Sequence, residues 1–255
     1  MGTPPFDLTN KTALITGSGQ GLGFVIARGL GRAGARVIIN GRDIQKLKAA
    51  AADLATLEIE VSTSPFDVTD ANQVRTAIQD LHGQTGPLDI LVNNAGIQIR
   101  APLEDLSEDD WRTVIDTNLT AAFLVTKQVI RPMMKRGYGK IINICSLMSE
   151  LGRKTTGPYT AAKGGLRMLT RAMCVEWASR NIQINGIGPG YFLTDMTRSL
   201  AEDETFDKWI RERTPAGRWG DPEELVGPAV FLASEASNFM NGQIVYVDGG
   251  LTAAI

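Results

Sequence analysis

The chain has 255 residues, with 26 Lys and Arg against 28 Asp and Glu, 43% hydrophobic and 21% charged side chains. A net charge of -2 sets up no field that would draw nucleic acid or an anionic membrane, and no apolar run is long enough to span a bilayer. The lone His82 and two widely separated cysteines, Cys145 and Cys174, offer no zinc-type ligand spacing. No metal site is therefore expected, and any acid–base chemistry has to use other groups. Without a signal-like N-terminus, a reducing cytoplasm is the expected location.

Short β-branched runs alternate with alanine- and leucine-rich helical patterns along the chain. Strands are expected over 12–16, 36–40, 58–65, 88–92, 140–145, 183–188 and 243–247. Helices are expected over 23–33, 44–55, 71–81, 111–135 and 161–180, with Asp43 and Thr69 or Asp70 as N-caps. This alternation predicts an α/β fold, a single domain with one parallel sheet covered on both faces. The stretch 191–224 breaks the alternation. It is polar, carries Trp209 and Trp219, and reads as a helical excursion that could act as a lid over a cleft.

The first strand runs into Gly17-Ser18-Gly19-Gln20-Gly21-Leu22-Gly23, followed by a helix pattern. Strand, glycine turn and helix in that order would set a dinucleotide pyrophosphate against the unpaired N–H groups of a helix N-terminus. The second strand ends Asn40-Gly41-Arg42-Asp43, with no acid at its tip to take a ribose 2′-hydroxyl. Asn40 does not repel a 2′-phosphate, and the Arg42 guanidinium matches one, so NADP is favoured, with NAD possible. Asp43 argues for NAD unless helix capping already occupies it.

Tyr159 and Lys163 stand four residues apart, with Ser146 thirteen residues before Tyr159. On a helix, positions i and i+4 share a face, which would hold a phenol beside an ammonium. Bringing a phenol from a pKa near ~10 towards neutrality takes roughly 3–4 kcal/mol, which a neighbouring cation in a partly dry cleft can supply. The spacing alone is equally that of an ordinary amphipathic helix.

Taken in order, Thr16-Gly17 with Gly21 and Gly23, Asn93-Asn94-Ala95-Gly96, Ser146, Tyr159 with Lys163, and Pro189-Gly190 resemble the short-chain dehydrogenase/reductase family over nearly the whole chain. The resemblance implies a Rossmann-type, three-layer doubly wound sheet, hydride exchange with a nicotinamide, and a homotetramer or homodimer. It implies a catalytic set of Tyr159 as general acid–base, Ser146 holding the substrate oxygen, Lys163 bonding the nicotinamide ribose and lowering the Tyr159 pKa, and Asn118 supporting a relay water. It further implies that Asp67 and Val68 meet the adenine, that Asn94, Ala95 and Gly96 line the ribose side, and that Pro189, Gly190 and Thr194 flank the carboxamide. Asn118 could instead cap a helix bend, Asp67 close a turn and Thr194 serve as an N-cap.

Segments around 93–100, 142–153, 189–196 and 213–220, and Pro5-Phe6-Asp7-Leu8, look like the gluconate 5-dehydrogenase branch of that family. A sugar-acid substrate is then implied. Arg100 or Arg153 would take the carboxylate and Glu150 the sugar hydroxyls, unless the arginines are rim ion-pair partners. The alternatives are a reductase of another sugar, polyol or 3-oxoacyl substrate, or a cofactor-binding regulator that has lost catalysis.

Overall fold

The computed structural model describes residues 5–194 and 197–254. Met1 to Pro4, Asp195, Met196 and Ile255 lie outside them, and of these Asp195 and Met196 fall within the segment 189–196 used above. In chain order the elements are β1 (Thr12–Ile15), α1 (Gly21–Arg32), β2 (Arg36–Gly41), α2 (Ile44–Ala55), β3 (Val61–Pro65), α3 (Ala71–Thr85) and β4 (Ile90–Asn93). Then follow α4 (Glu108–Ile115), α5 (Ala121–Arg136), β5 (Gly139–Ile144), α6 (Gly157–Trp177), β6 (Ile182–Pro189), α7 (Arg198–Ala201), α8 (Glu204–Arg213), α9 (Val226–Ala233) and β7 (Ile244–Val247).

The seven strands form one parallel sheet in the order β3-β2-β1-β4-β5-β6-β7. Each strand was expected within a few residues of where it stands. Strand side chains alternate between two apolar layers, as the twofold repeat of a strand requires. Ala13, Ile15, Val37, Ile39, Ile90 and Val92 pack on one face with Ile26 and Leu30 of α1. Leu14, Ile38, Leu91 and Ile141 pack on the other, with Val125 and Val129 of α5. The result is the three-layer, doubly wound arrangement expected. Its topological switch lies between β1 and β4, where a crevice opens beyond the strands' C-terminal ends.

Local chemistry sets the helix ends. Asp43 caps α2 by accepting from the N–H groups of Gln45 (2.9 Å) and Lys46 (3.1 Å), so its carboxylate is occupied as anticipated. Asp70, not Thr69, caps α3. Gly137, in the left-handed region at φ 68°, closes α5.

The long helix expected over 111–135 is two α-helices joined by a π-turn, Asp116–Thr120. One extra residue per turn shifts the phase there, a change that a 3.6-residue pattern cannot register. It swings Asn118 inward to 2% exposure while the flanking apolar positions stay on the core side. Residues beyond β6 form the excursion anticipated. It includes α7 and α8, and Tyr191, Phe206, Trp209 and Trp219 stack there with ring centroids 5.5–6.3 Å apart.

Gly17 sits at φ +62°, and a Cβ there would lie 2.8 Å from Ala95 Cα. Gly21 has nearly the same φ, +60°, but a Cβ on it would meet nothing within 4 Å. Gly21→Ala should therefore show the backbone strain alone, on the order of 1–2 kcal/mol. Gly17→Ala adds a clash with backbone and should lower Tm by several degrees more in thermal unfolding. Equal Tm losses for the two variants would contradict this packing.

Candidate active site

One cleft of about 690 Å³ opens over the sheet switch, and nearly every residue singled out in the sequence lines it. Its first wall is the turn between β1 and α1. Gly21 opens α1 with no side-chain cap and no acidic residue in the first turn, leaving N–H groups and the positive helix end facing the cleft. Gly17, Gly19, Leu22 and Gly23 line it too. Ser18 does not. Its fully buried hydroxyl donates to Ile15 O (2.7 Å) and accepts from Asn40 N–H (3.0 Å), so the side chain ties β1 to β2 instead of facing a ligand.

Asn40 is held in the same way, its amide donating to Ser64 O (3.0 Å) and Phe66 O (3.1 Å). It lines the cleft while its amide is committed to the fold. Arg42, by contrast, is exposed and faces Asp67 at 3.4 Å. Lys46, on the first turn of α2, lines the same end of the cleft. A second cation one helical turn beyond Arg42 was visible in the sequence but not singled out. Asp67 and Val68 also line the cleft. Partial burial works to raise the Asp67 carboxyl, but the Thr69 hydrogen bonds and the Arg42 charge prevail and hold it below its usual range.

The floor comes from the turn after β4. Asn94 donates its amide to Thr16 O and Gly17 O, both at 2.9 Å, bracing the glycine turn from behind. Ala95 and Gly96 line the cleft beside it, and Pro189, Gly190 and Thr194 form the far wall. The uncapped helix start, the glycine surface and the basic pair at its outer end together fit an extended dinucleotide.

Ser146, Tyr159 and Lys163 meet at the inner end of that cleft. Ser146 opens a single 3₁₀ turn, Leu147–Ser149, and its hydroxyl accepts from Met148 N–H at 3.2 Å. Ser149 accepts from Ser146 N–H (3.3 Å) and donates to Lys163 O (2.9 Å), so it fastens the Ser146 turn to α6. Pro158 lies in the first turn of α6, which places Tyr159 and Lys163 on one face, with Nζ 5.5 Å from the phenol ring centroid. Lys163 is 3% exposed and donates to Ile144 O at 2.6 Å. Burial pulls its pKa down to about 8. Burial also pushes the Tyr159 phenol up, with the facing Ser146 hydroxyl working the other way. That is the reverse of the lowering expected from Lys163, because in this arrangement desolvation outweighs every favourable contact.

Asn118 reaches the site through the π-turn. Its amide donates to Ile97 O (2.8 Å) and Val114 O (2.9 Å), while its Oδ1 has no partner among the described residues. A buried, oriented acceptor at that point suits a hydrogen-bonded water.

The residues expected to meet substrate divide. Arg100 and Arg153 both line the cleft, and neither pairs with a carboxylate among the described residues. Burial and the nearby Arg153 charge both lower the Arg100 pKa. Arg153 donates to the Tyr191 hydroxyl (3.2 Å) and lies 5.0 Å over the Phe206 ring, contacts that nothing in the sequence announced. Glu150 is a correction. Just past the 3₁₀ turn, its carboxylate pairs with Arg167 (2.8 Å) and accepts from the Tyr246 hydroxyl (3.1 Å), and it is not among the residues that line the cleft.

A doubly wound sheet with a dinucleotide cradle, and beside it a half-buried Ser and Tyr with a buried Lys, defines a nicotinamide-type oxidoreductase. A family model described as enoyl-(acyl carrier protein) reductase matches residues 17–252. The chain is 52% identical to the 5-keto-D-gluconate 5-reductase of Escherichia coli K12 over 98% of both chains. It is 48% identical to the 2-dehydro-3-deoxy-D-gluconate 5-dehydrogenase of Formosa agariphila, over 100% of this chain and 97% of that one. Among solved structures it is similar to a gluconate 5-dehydrogenase from Burkholderia cenocepacia in complex with NADP and tartrate. That match has TM-score 0.96 and 50% identity over 98% of both chains. The chain belongs to the short-chain dehydrogenase/reductase family.

The Lys163 shift carries a sign. A lysine at about 8 in the fold and 10.5 when free binds fewer protons folded than unfolded between those values, so stability rises with pH in that window. Buried Lys140, also pulled to about 8, adds the same trend. Unfolding at pH 8 and pH 10 should therefore show a smaller gain in stability for Lys163→Met than for the wild-type protein. An unchanged gain would show that Lys163 is not desolvated.

Proposed function

We propose that this protein interconverts a sugar acid and its keto form, D-gluconate and 5-keto-D-gluconate, using NADP. The observation that carries the substrate class is the pair Arg100 and Arg153. Two guanidinium groups near enough to repel each other face the cleft and lack an acidic partner among the described residues. Such a pair is stabilised by an anionic ligand, and a carboxylate matches the planar guanidinium fork. The sugar-acid relatives support the same choice.

A nicotinamide cofactor, when bound, supplies the hydride acceptor or donor. The N-terminal turn of α1 would hold its pyrophosphate, and Arg42 with Lys46 its 2′-phosphate. NADP in the similar structure supports that assignment. The chain's own residues handle the proton. Tyr159, once ionised, takes the proton of the reacting hydroxyl in oxidation, and its protonated form returns it in reduction, while the Ser146 hydroxyl holds the reacting oxygen in place. Lys163, fixed by Ile144 O, keeps positive charge at the inner end of the cleft and would bond the nicotinamide ribose. Asn118 supports a water through which the proton leaves. Closure of 191–224 over the substrate is part of the proposal, with Arg153 joined to that segment through Tyr191 and Phe206.

A second candidate, 2-dehydro-3-deoxy-D-gluconate, is favoured by the Formosa relative. It carries the same carboxylate, so the arginine pair serves both.

Three substitutions test these roles. Tyr159→Phe should lose a factor of ~10²–10⁴ in turnover while still binding NADP, as titration of protein fluorescence would show. Retention of more than about 1% of activity counts against the proton role. In Arg42→Ala the kcat/KM preference for NADP over NAD should collapse, and an unchanged ratio refutes the phosphate contact. Arg100→Ala should raise KM for gluconate far more than KM for a neutral polyol, and equal effects would sink the carboxylate role.

A further inference from the structure

Behind the cleft, between the sheet and α5, lies a second cavity of about 10 Å³. Its lining includes Thr16, Asn93, Ala95, Asn118 and Ala121. Two of these residues carry buried oxygens without a partner among the described residues, Asn93 Oδ1 and Asn118 Oδ1. Both residues are at most 5% exposed.

Neither carboxamide is free to turn its nitrogen into the gap. Asn118 Nδ2 donates to two main-chain carbonyls, Ile97 O and Val114 O, which accept and cannot donate. Asn93 Nδ2 donates to Asn143 Oδ1 (2.8 Å) and Thr126 Oγ1 (3.1 Å). Asn143 is fixed in turn, its own amide donating to Thr170 Oγ1 (2.8 Å), whose hydroxyl donates to Leu166 O (2.8 Å). Hydrogen bonds thus run one way from Asn93 to Leu166 O, and with Asn118 committed separately two unpaired acceptors are left on residues that line one small cavity. An unpaired buried acceptor is costly, and two on residues that share one cavity are hard to sustain. The cavity has about the volume that one water occupies, and a water has two O–H groups to give.

We propose that this cavity holds one buried water, distinct from any water in the open cleft, that donates to both Asn93 Oδ1 and Asn118 Oδ1. Asn93 thereby becomes a positioning residue for the reaction. The water closes a polar path from the π-turn, through Asn93 and Asn143, to Thr170 on α6, two helical turns beyond Lys163. It locks the carboxamide of Asn118, so that the π-turn and the helix carrying Tyr159 and Lys163 hold a fixed relation. The water itself follows from geometry alone, while the positioning role rests on the part assigned above to Asn118.

The two parts are tested separately. A crystal structure of the NADP-bound wild-type enzyme at about 1.5 Å or better should show one ordered water within ~2.6–3.2 Å of both oxygens. A dry cavity, or an Asn118 amide turned towards Asn93, overturns the site. For the role, Asn93→Leu should lower kcat roughly tenfold while leaving the NADP Kd and substrate KM within about twofold, the change expected when one buried hydrogen bond is lost from the transition state. Thr126→Val, which removes another partner of Asn93 but not the water's acceptor, should keep wild-type kcat. Equal losses in the two variants, or a parallel loss of NADP affinity in Asn93→Leu, reduce Asn93 to a core brace and overturn positioning. Full turnover in Asn118→Leu overturns it as well, by removing the role on which it rests, and leaves the crystallographic result for the water standing. Should Asn93→Leu fail to fold, the wild-type structure still decides whether the water is there.

Discussion

The close approach of the turn after β1 to the turn after β4 sets the geometry of the whole cleft. Gly17 packs against the Ala95 backbone, and Asn94 spans the gap to hold Thr16 O and Gly17 O. Thr16 answers by accepting from the N–H groups of Asn94 (3.0 Å) and Ala95 (3.1 Å). These bonds lie at the switch point of the sheet, where strand order reverses and neighbouring helices leave opposite faces. The dinucleotide cradle and the chemical end of the cleft are therefore built on one joint.

The chemical end has a different logic. Lys163 and Tyr159 are both held in surroundings that disfavour their charged forms. A desolvated ammonium fastened to one carbonyl and a phenol kept protonated give a site whose charge balance depends on what enters it. At the mouth the opposite holds, since Arg100 and Arg153 bring two positive charges together with no acid among the described residues to compensate them. An anionic substrate would relieve the mouth, and its bonds to Arg153 would be felt by Tyr191 and Phe206. Binding, closure and chemistry would then share one set of contacts.

Much of this was legible in the sequence. Short continuous apolar, β-branched runs gave the strands, because both faces of the parallel sheet are buried. The cap at Asp43 and the glycine turn were local signals with local causes. What escaped has causes at longer range. The π-turn at Asn118 leaves no trace in hydrophobic periodicity. Ser18 and Asn40 sit in the cofactor motif, yet their side chains are spent on neighbouring strands. Glu150 is engaged by Arg167 on α6 and Tyr246 on β7, partners that its own stretch of sequence does not announce. Lys46 and the Arg153–Tyr191 contact needed positions from separate elements, and Asn93 was hidden inside a motif whose next three residues draw the attention.

The most direct test of the account follows the reduced-nicotinamide absorbance with purified protein. NADP(H) and NAD(H) would be offered with gluconate, 5-ketogluconate, 2-dehydro-3-deoxygluconate, neutral polyols and an acetoacetyl thioester. The account predicts the highest kcat/KM for a sugar acid with the phosphorylated cofactor, and little turnover of polyols of the same length. A neutral polyol or the thioester turned over best, or no hydride transfer with any of them, would contradict it.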